Sequence, residues 1–283
     1  MSIATELARI QQAKADIKTA IEVKGVSVPS SATIDTYDDY VAQISGGGGG
    51  GIPMPSKLSS ASLNNYGLIT SAEIKSGETT IPSFAFENCV SLTSVTIPDT
   101  VTSIGNSFDN CTSLRNVTIG SGVTYIGGYA FYNCNSLPSI NLPSGVTYIG
   151  SNAFAGCGSL GSITIPSGIT GISEYAFDSC SSLTSVTIPD SVTSIGYSAF
   201  NNCNSLPSIN LPSGVTTIGS WAFAYCGSLT SITVLAPTPP TLGEDGVFEE
   251  TNDATIYVPA GSLSAYISAW SSYASRIQAI PNS

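Results

Sequence analysis

Apolar residues recur along this chain every 23 positions, with a shorter alternation nested inside each repeat. Phe86, Phe108, Phe131, Phe154, Phe177, Phe200 and Phe223 each stand three residues before a cysteine: Cys89, Cys111, Cys134, Cys157, Cys180, Cys203 and Cys226. The cysteine spacing is 22 once and 23 five times. Leu92, Leu114, Leu137, Leu160, Leu183, Leu206 and Leu229 follow three residues later. Then come apolar pairs at period two, from Val95 and Ile97 to Ile232 and Val234. A further Ile closes most units: Ile104, Ile126, Ile149, Ile172, Ile195 and Ile218. The unit reads A-F-x-x-C-x-S-L-x-x-V-x-I-P-x-x-V-x-x-I-G. Ile69, Ala72, Ile74 and Ile81 lie 23 residues before Leu92, Val95, Ile97 and Ile104, and form a degenerate opening repeat.

This pattern predicts a solenoid. One unit cannot bury its own apolar side, so units stack and share a core. In L-x-x-V-x-I the alternating apolar residues point inward from a short strand, and successive strands pair into a parallel sheet on one face. Pro ends the strand because it has no N–H to donate. The I-G-x-x-A-F segment returns the chain, with Gly relieving the turn. A longer period overlies the short one. Asn133 to Thr147 and Asn202 to Thr216 are identical, 69 residues apart, which marks duplication of three-unit blocks.

The two ends follow other rules. Ile3, Leu7, Ile10, Lys14, Ile17 and Ile21 have 4-3-4-3-4 spacing, a heptad seam with one polar break. A helix is expected from Met1 to about Lys24, stopped by Gly25, and a second over roughly residues 34–44. The helices either fold on each other as a hairpin or self-associate as a dimeric or trimeric coiled coil. Gly46 to Gly51 form a flexible linker. Beyond Pro237 and Pro240, Thr255–Val258 is expected as a last strand and Ser262–Ile277 as an amphipathic helix covering the open end. The expected organisation is residues 1–45 as a helical anchoring and oligomerisation module, 46–51 as linker, 52–235 as solenoid and 236–283 as C-terminal cap. The fold class is a mainly β solenoid of 23-residue units, with a parallel sheet on one face, a small N-terminal α-helical module and a strand–helix cap.

Composition narrows the chemistry. Charged residues are 10% of the chain, against about a quarter in an average protein. The formal net charge is −11, and no Lys or Arg occurs between Arg115 and Arg276. No cationic track exists there for phosphates, so a nucleic-acid partner is not expected. There is no histidine, hence no His base, Ser–His pair or His metal ligand. The first residues lack the apolar stretch of a secretory signal, and no run of 18 apolar residues predicts membrane insertion. Stacked cysteines lie within disulfide reach, but seven is odd, assembly in a cytoplasm keeps thiols reduced, and no C-x-x-C spacing marks zinc. A ladder of buried free thiols is the favoured reading. No cofactor or metal is expected.

Two surfaces are candidates for binding. Outward positions of the L-x-x-V-x-I strands carry small polar residues, including Asn116, Thr118, Asn141, Thr164, Thr187 and Asn210. These can hydrogen-bond a glycan or simply solvate the sheet. Just before the buried Phe stand Tyr129, Tyr175 and Trp221, with Tyr197, Tyr132 and Tyr225 nearby. Such aromatics suit sugar stacking or a protein interface, or partial burial at the solenoid's edge. The carboxylates Asp99, Asp109, Glu174, Asp178 and Asp190 are scattered. Glu244, Asp245, Glu249, Glu250 and Asp253 form an acidic loop that is either solvated or a cation site.

The 23-residue cysteine-bearing unit resembles BspA-like leucine-rich repeats, over roughly Ile69 to Val234, and I-Y-V-P-A-G-S-L-S-A-Y resembles that family's ending. The chain has Pro or Gly where the general repeat has Asn or Cys after L-x-L, which fits the bacterial subtype. Residues 1–45 resemble N-terminal segments of phage tail and fibre proteins, which often precede a glycine run. Together these resemblances imply a non-enzymatic virion component, assembled in the host cytoplasm. It would bind other virion proteins through residues 1–45, possess a homo-oligomeric seam, and present its solenoid to a host surface protein or glycan. A bacterial adhesin-like protein and a carbohydrate-active enzyme are the alternatives.

Overall fold

The computed structural model describes residues 70–74 and 76–281. The seam of Ile3, Leu7, Ile10, Lys14, Ile17 and Ile21, the second helix and the glycine linker lie outside the described residues. The described chain is a β-solenoid of about nine turns.

Each 23-residue unit makes one coil. The L-x-x-V-x-I segments supply β1 (Ser71–Glu73), β3 (Ser94–Ile97), β5 (Asn116–Ile119), β8 (Ser162–Thr164), β10 (Ser185–Thr187), β12 (Ser208–Leu211), β14 (Ser231–Val234) and β16 (Thr255–Val258). Pairing is parallel and in register, with Ala72 opposite Val95 and Val95 opposite Val117. The opening repeat is therefore a true coil.

A second parallel ladder corrects the expectation of a sheet on one face only. It consists of the two-residue strands β2 (Thr80–Ile81), β4 (Ser103–Ile104), β6 (Tyr125–Ile126), β7 (Tyr148–Ile149), β9 (Gly171–Ile172), β11 (Ser194–Ile195), β13 (Thr217–Ile218) and β15 (Thr241–Leu242). Strands this short leave no period-two signature in the sequence. Threonine reinforces the ladder. The N–H and hydroxyl of Thr193 both donate to the carbonyl of Thr170, at 2.8 and 3.1 Å, and Thr216 repeats the pattern on Thr193. The third side is bridged without strands, as Phe131 N–H donates to Ala153 O and Phe154 N–H to Ala176 O.

Both ladders are interrupted at identifiable residues. The first breaks between β5 and β8 and again between β10 and β12. At the equivalent position, Thr93, Thr184 and Thr230 donate their N–H to the preceding coil. Pro138 and Pro207 occupy that position in the coils at the breaks and have no N–H to give. The second ladder breaks between β7 and β9. Ser173 stands there, where six other coils carry Gly. Those glycines have no positive φ. Their role is close approach: a Cβ on Gly150, Gly196 or Gly219 would lie 2.4 to 2.6 Å from a backbone nitrogen of the preceding coil. Gly thus permits stacking rather than relieving a turn.

The interior is a set of stacks. Consecutive rings from Phe86 to Phe223 lie nearly parallel with centroids 5.1 to 5.5 Å apart, and Phe248 continues the column at 5.8 Å. All seven cysteines are buried thiols, none of them in a disulfide. Their thiols do more than fill space. Cys134 Sγ–H donates to Phe108 O and Cys157 Sγ–H to Phe131 O, one coil back. Burial pushes the Cys89 and Cys157 thiols up to about 12.

The C-terminal cap departs from the single helix expected over Ser262–Ile277. Helix α1 covers only Leu263–Ala269; 3-10 turns span Ala260–Ser262 and Ser271–Arg276, and β17 (Ile277–Ala279) then pairs with β16. The final strand is therefore β17. The long helix fails because its residues are recruited by the last coils. Tyr266 and Trp270 are buried, with Tyr266 O–H donating to Ala236 O and Trp270 Nε1–H to Pro240 O. Arg276 clamps the other side through Ala254 O, Phe248 O and Thr251 Oγ1.

Candidate binding surface

The outward positions of the first ladder form a plain polar face. Asn116, Thr118, Thr164, Thr187 and Asn210 are exposed on their strands. Asn116 stands opposite Ser94, Thr118 opposite Thr96, Thr164 opposite Thr187, and Asn210 opposite Thr233. Asn141 is exposed in the segment that the Pro138 break leaves without a strand. From β3 to β14 the face is neutral and rich in hydroxyls, and it offers hydrogen bonds without a fixed convergence point.

The aromatic candidates occupy a different side, at the bend before the buried Phe. Tyr129 is 43% exposed and sits edge-on to Tyr132, with centroids 5.4 Å apart. Tyr175 is half-buried; its ring lies 5.2 Å from that of Tyr197 in the next coil, tilted by 58°. Burial, then the neighbouring Tyr197, raises the Tyr175 hydroxyl above its usual range. Trp221 is half-buried and stacks parallel to Tyr225 at 6.2 Å. The structure thus assembles the aromatic set into pairs on one edge and keeps it apart from the polar face.

One aromatic pair escaped the sequence reading. Tyr125 and Tyr148 are exposed on the second ladder and stacked at 4.8 Å. The signal was V-T-Y-I-G in two successive units, but without a second strand ladder nothing placed the two rings side by side.

The backbone under these aromatics is unusual. Tyr129, Tyr175 and Trp221 hold φ of 57°, 55° and 60°. Bulky residues rarely take this left-handed region. A network holds them there: Tyr129 N–H donates to Ser151 O and Tyr175 N–H to Tyr197 O in the next coil.

The carboxylates do not converge. Asp109 is raised by burial and then by the charge of Glu87, while Asp178 is raised by burial and eased by a hydrogen bond from Ser179. Among the described residues no three His, Cys, Asp or Glu side chains group as a metal site requires, the acidic loop included. No described helix is long and apolar enough to cross a membrane.

Repeat length, in-register coils and cap define a leucine-rich-repeat solenoid. The chain matches the BspA type leucine-rich repeat region over residues 56–184 and 170–280, and it belongs to that family. Solved structures similar to it include a leucine-rich repeat protein of T. pallidum, 28% identical over 59% of this chain and 73% of that one, TM-score 0.43. A leucine-rich repeat protein of Bacteroides ovatus is 25% identical over 76% and 84%, TM-score 0.34. A leucine-rich cell surface protein of Faecalibacterium prausnitzii is 27% identical over 73% and 83%, TM-score 0.32. No curated protein matches the chain.

Proposed function

We propose that this chain is a non-enzymatic display solenoid, carried on a bacteriophage particle as a tail or capsid fibre or decoration protein and turned toward the host surface. Residues 1–45 hold other virion proteins and join copies of the chain through the Ile3 to Ile21 seam. The observation that carries the reading is the sidedness of the coil. The thiols point into the core, whereas the outward positions carry hydroxyls, amides and aromatic rings. Such a surface binds; it does not activate a nucleophile. The likeness of residues 1–45 to phage tail and fibre segments supports attachment to a particle. Family membership favours a second reading, a bacterial adhesin-like repeat protein.

Gold-labelled antibodies against the full chain test the location. Labelling on the outside of intact phage particles is expected. Chain absent from purified particles but present on bacterial cells favours the second reading. Turnover of any polysaccharide, abolished by replacing one carboxylate, would overturn the non-enzymatic reading.

A further inference from the structure

The position two residues before each Phe from Phe86 to Phe223 alternates along the solenoid. In successive coils it holds Phe84, Asn106, Tyr129, Asn152, Tyr175, Ser198 and Trp221. Every second coil presents an aromatic ring and every intervening coil a small polar residue. All four rings sit on left-handed backbone, with φ between 55° and 67°.

Two arguments give this alternation meaning. The first concerns backbone energy. Asn is among the residues that best tolerate positive φ, and Asn152 holds 59° in this very position. A bulky ring there costs stability, and Tyr129, 43% exposed, regains little of it by burial. Such outliers cluster where binding needs them. The second concerns ancestry. The duplicated block is three coils long, so simple copying would pair Tyr129 with Ser198 and Asn152 with Trp221. These residues differ although the neighbouring Asn133–Thr147 and Asn202–Thr216 are identical. A two-coil period has been imposed on a three-coil duplication.

We propose that Phe84, Tyr129, Tyr175 and Trp221 form a linear platform for a neutral, extended polysaccharide lying along the solenoid axis. Coils stack at about 4.8 Å, so the rings recur about every 9.6 Å over roughly 29 Å. In an extended β-1,4-linked chain each pyranose is turned over relative to the next. The same ring face therefore returns every second sugar, an interval close to the spacing of the aromatics. Stacking of that face on Tyr and Trp uses their flat apolar surface, and the tyrosine hydroxyls hydrogen-bond the sugar's edge. The two-residue period of a β-strand, about 6.8 Å, does not match the ring spacing. The absence of Lys and Arg between Arg115 and Arg276 selects against an anionic chain. This inference rests on the adhesive reading above and gives it a ligand class.

The test is affinity electrophoresis of the full chain through gels containing hydroxyethyl cellulose, glucomannan or polygalacturonate. Retardation by a neutral polymer is expected, weakened about fivefold by each of Tyr129→Asn, Tyr175→Asn and Trp221→Asn and abolished in the triple variant. Because Asn suits the local backbone, the melting temperature of the variants should not fall, which separates lost binding from lost folding. Undiminished retardation of the triple variant, retardation by polygalacturonate alone, or none by any neutral polymer overturns the platform. Adhesion of wild type and triple variant to host cells, compared side by side, distinguishes the two readings. Equal adhesion leaves the adhesive role standing and removes the platform, and no adhesion by either removes both.

Discussion

The thiol of Cys180 donates to the carbonyl of Phe154 in the preceding coil, at 3.3 Å, and the same bond links Cys203 to Phe177 and Cys226 to Phe200. Each Phe carbonyl also accepts the N–H of its own cysteine, as Phe154 O does from Cys157. The thiol therefore saturates a carbonyl that water cannot reach. Denatured protein should react with seven equivalents of a thiol reagent without prior reduction, and native protein with almost none. Fewer than seven in the denatured state would reveal disulfides.

These thiols also set a pH limit. Burial raises Cys89, Cys111, Cys134, Cys157, Cys180 and Cys203 in the folded state. Their stabilising contribution is complete below the unfolded thiol range near pH 8.5 and is lost as pH rises toward the folded values. Above about pH 9 the free energy of unfolding should fall by about 1.4 kcal/mol per pH unit for each thiol. Urea midpoints measured from pH 7 to 10.5 would show this, and replacing Cys134 and Cys157 with Ala should flatten the slope.

Glycine should matter by place. Gly150→Ala drives a Cβ to 2.4 Å from Gly128 N, while Gly227→Ala meets nothing within 4 Å. The first should cost about 1–3 kcal/mol, and the second should be neutral or slightly stabilising. Thermal melts of the two variants give the comparison; equal effects would refute the close-approach argument.

Pro138→Thr restores an N–H and a hydroxyl facing the Arg115 carbonyl. Thr93, Thr184 and Thr230 make both bonds at the equivalent place. A gain of about 1 kcal/mol is expected in urea denaturation. A loss would mean that the interruption has another origin.

Arg276→Ala removes the clamp on Ala254 O, Phe248 O and Thr251 Oγ1. About 2 kcal/mol should be lost, and amide exchange should rise first in β16 and β17. Uniform exchange along the solenoid would refute a local role.

The repeat made most of the fold legible, because period-two alternation and the Phe, Cys and Leu columns each report one inward direction. What stayed hidden had no periodic signal. The strands holding Tyr125 and Tyr148 are two residues long, too short to alternate. The helix expected through Ile277 stops at Ala269 because burial of Tyr266 and Trp270 against the last coils outweighs local helical preference. Tyr129, Tyr175 and Trp221 could be found as aromatics before Phe, but their left-handed backbone, and hence their cost, needed coordinates.

The missing bonds at Pro138 and Pro207 have a mechanical consequence. A solenoid held at its two ends is pulled along its length, and a stack of coils yields where neighbouring layers grip least. Those two seams lie 69 residues apart and bracket one duplicated block. Under tension the rod should lengthen in steps of whole blocks, each closing again when the load is released.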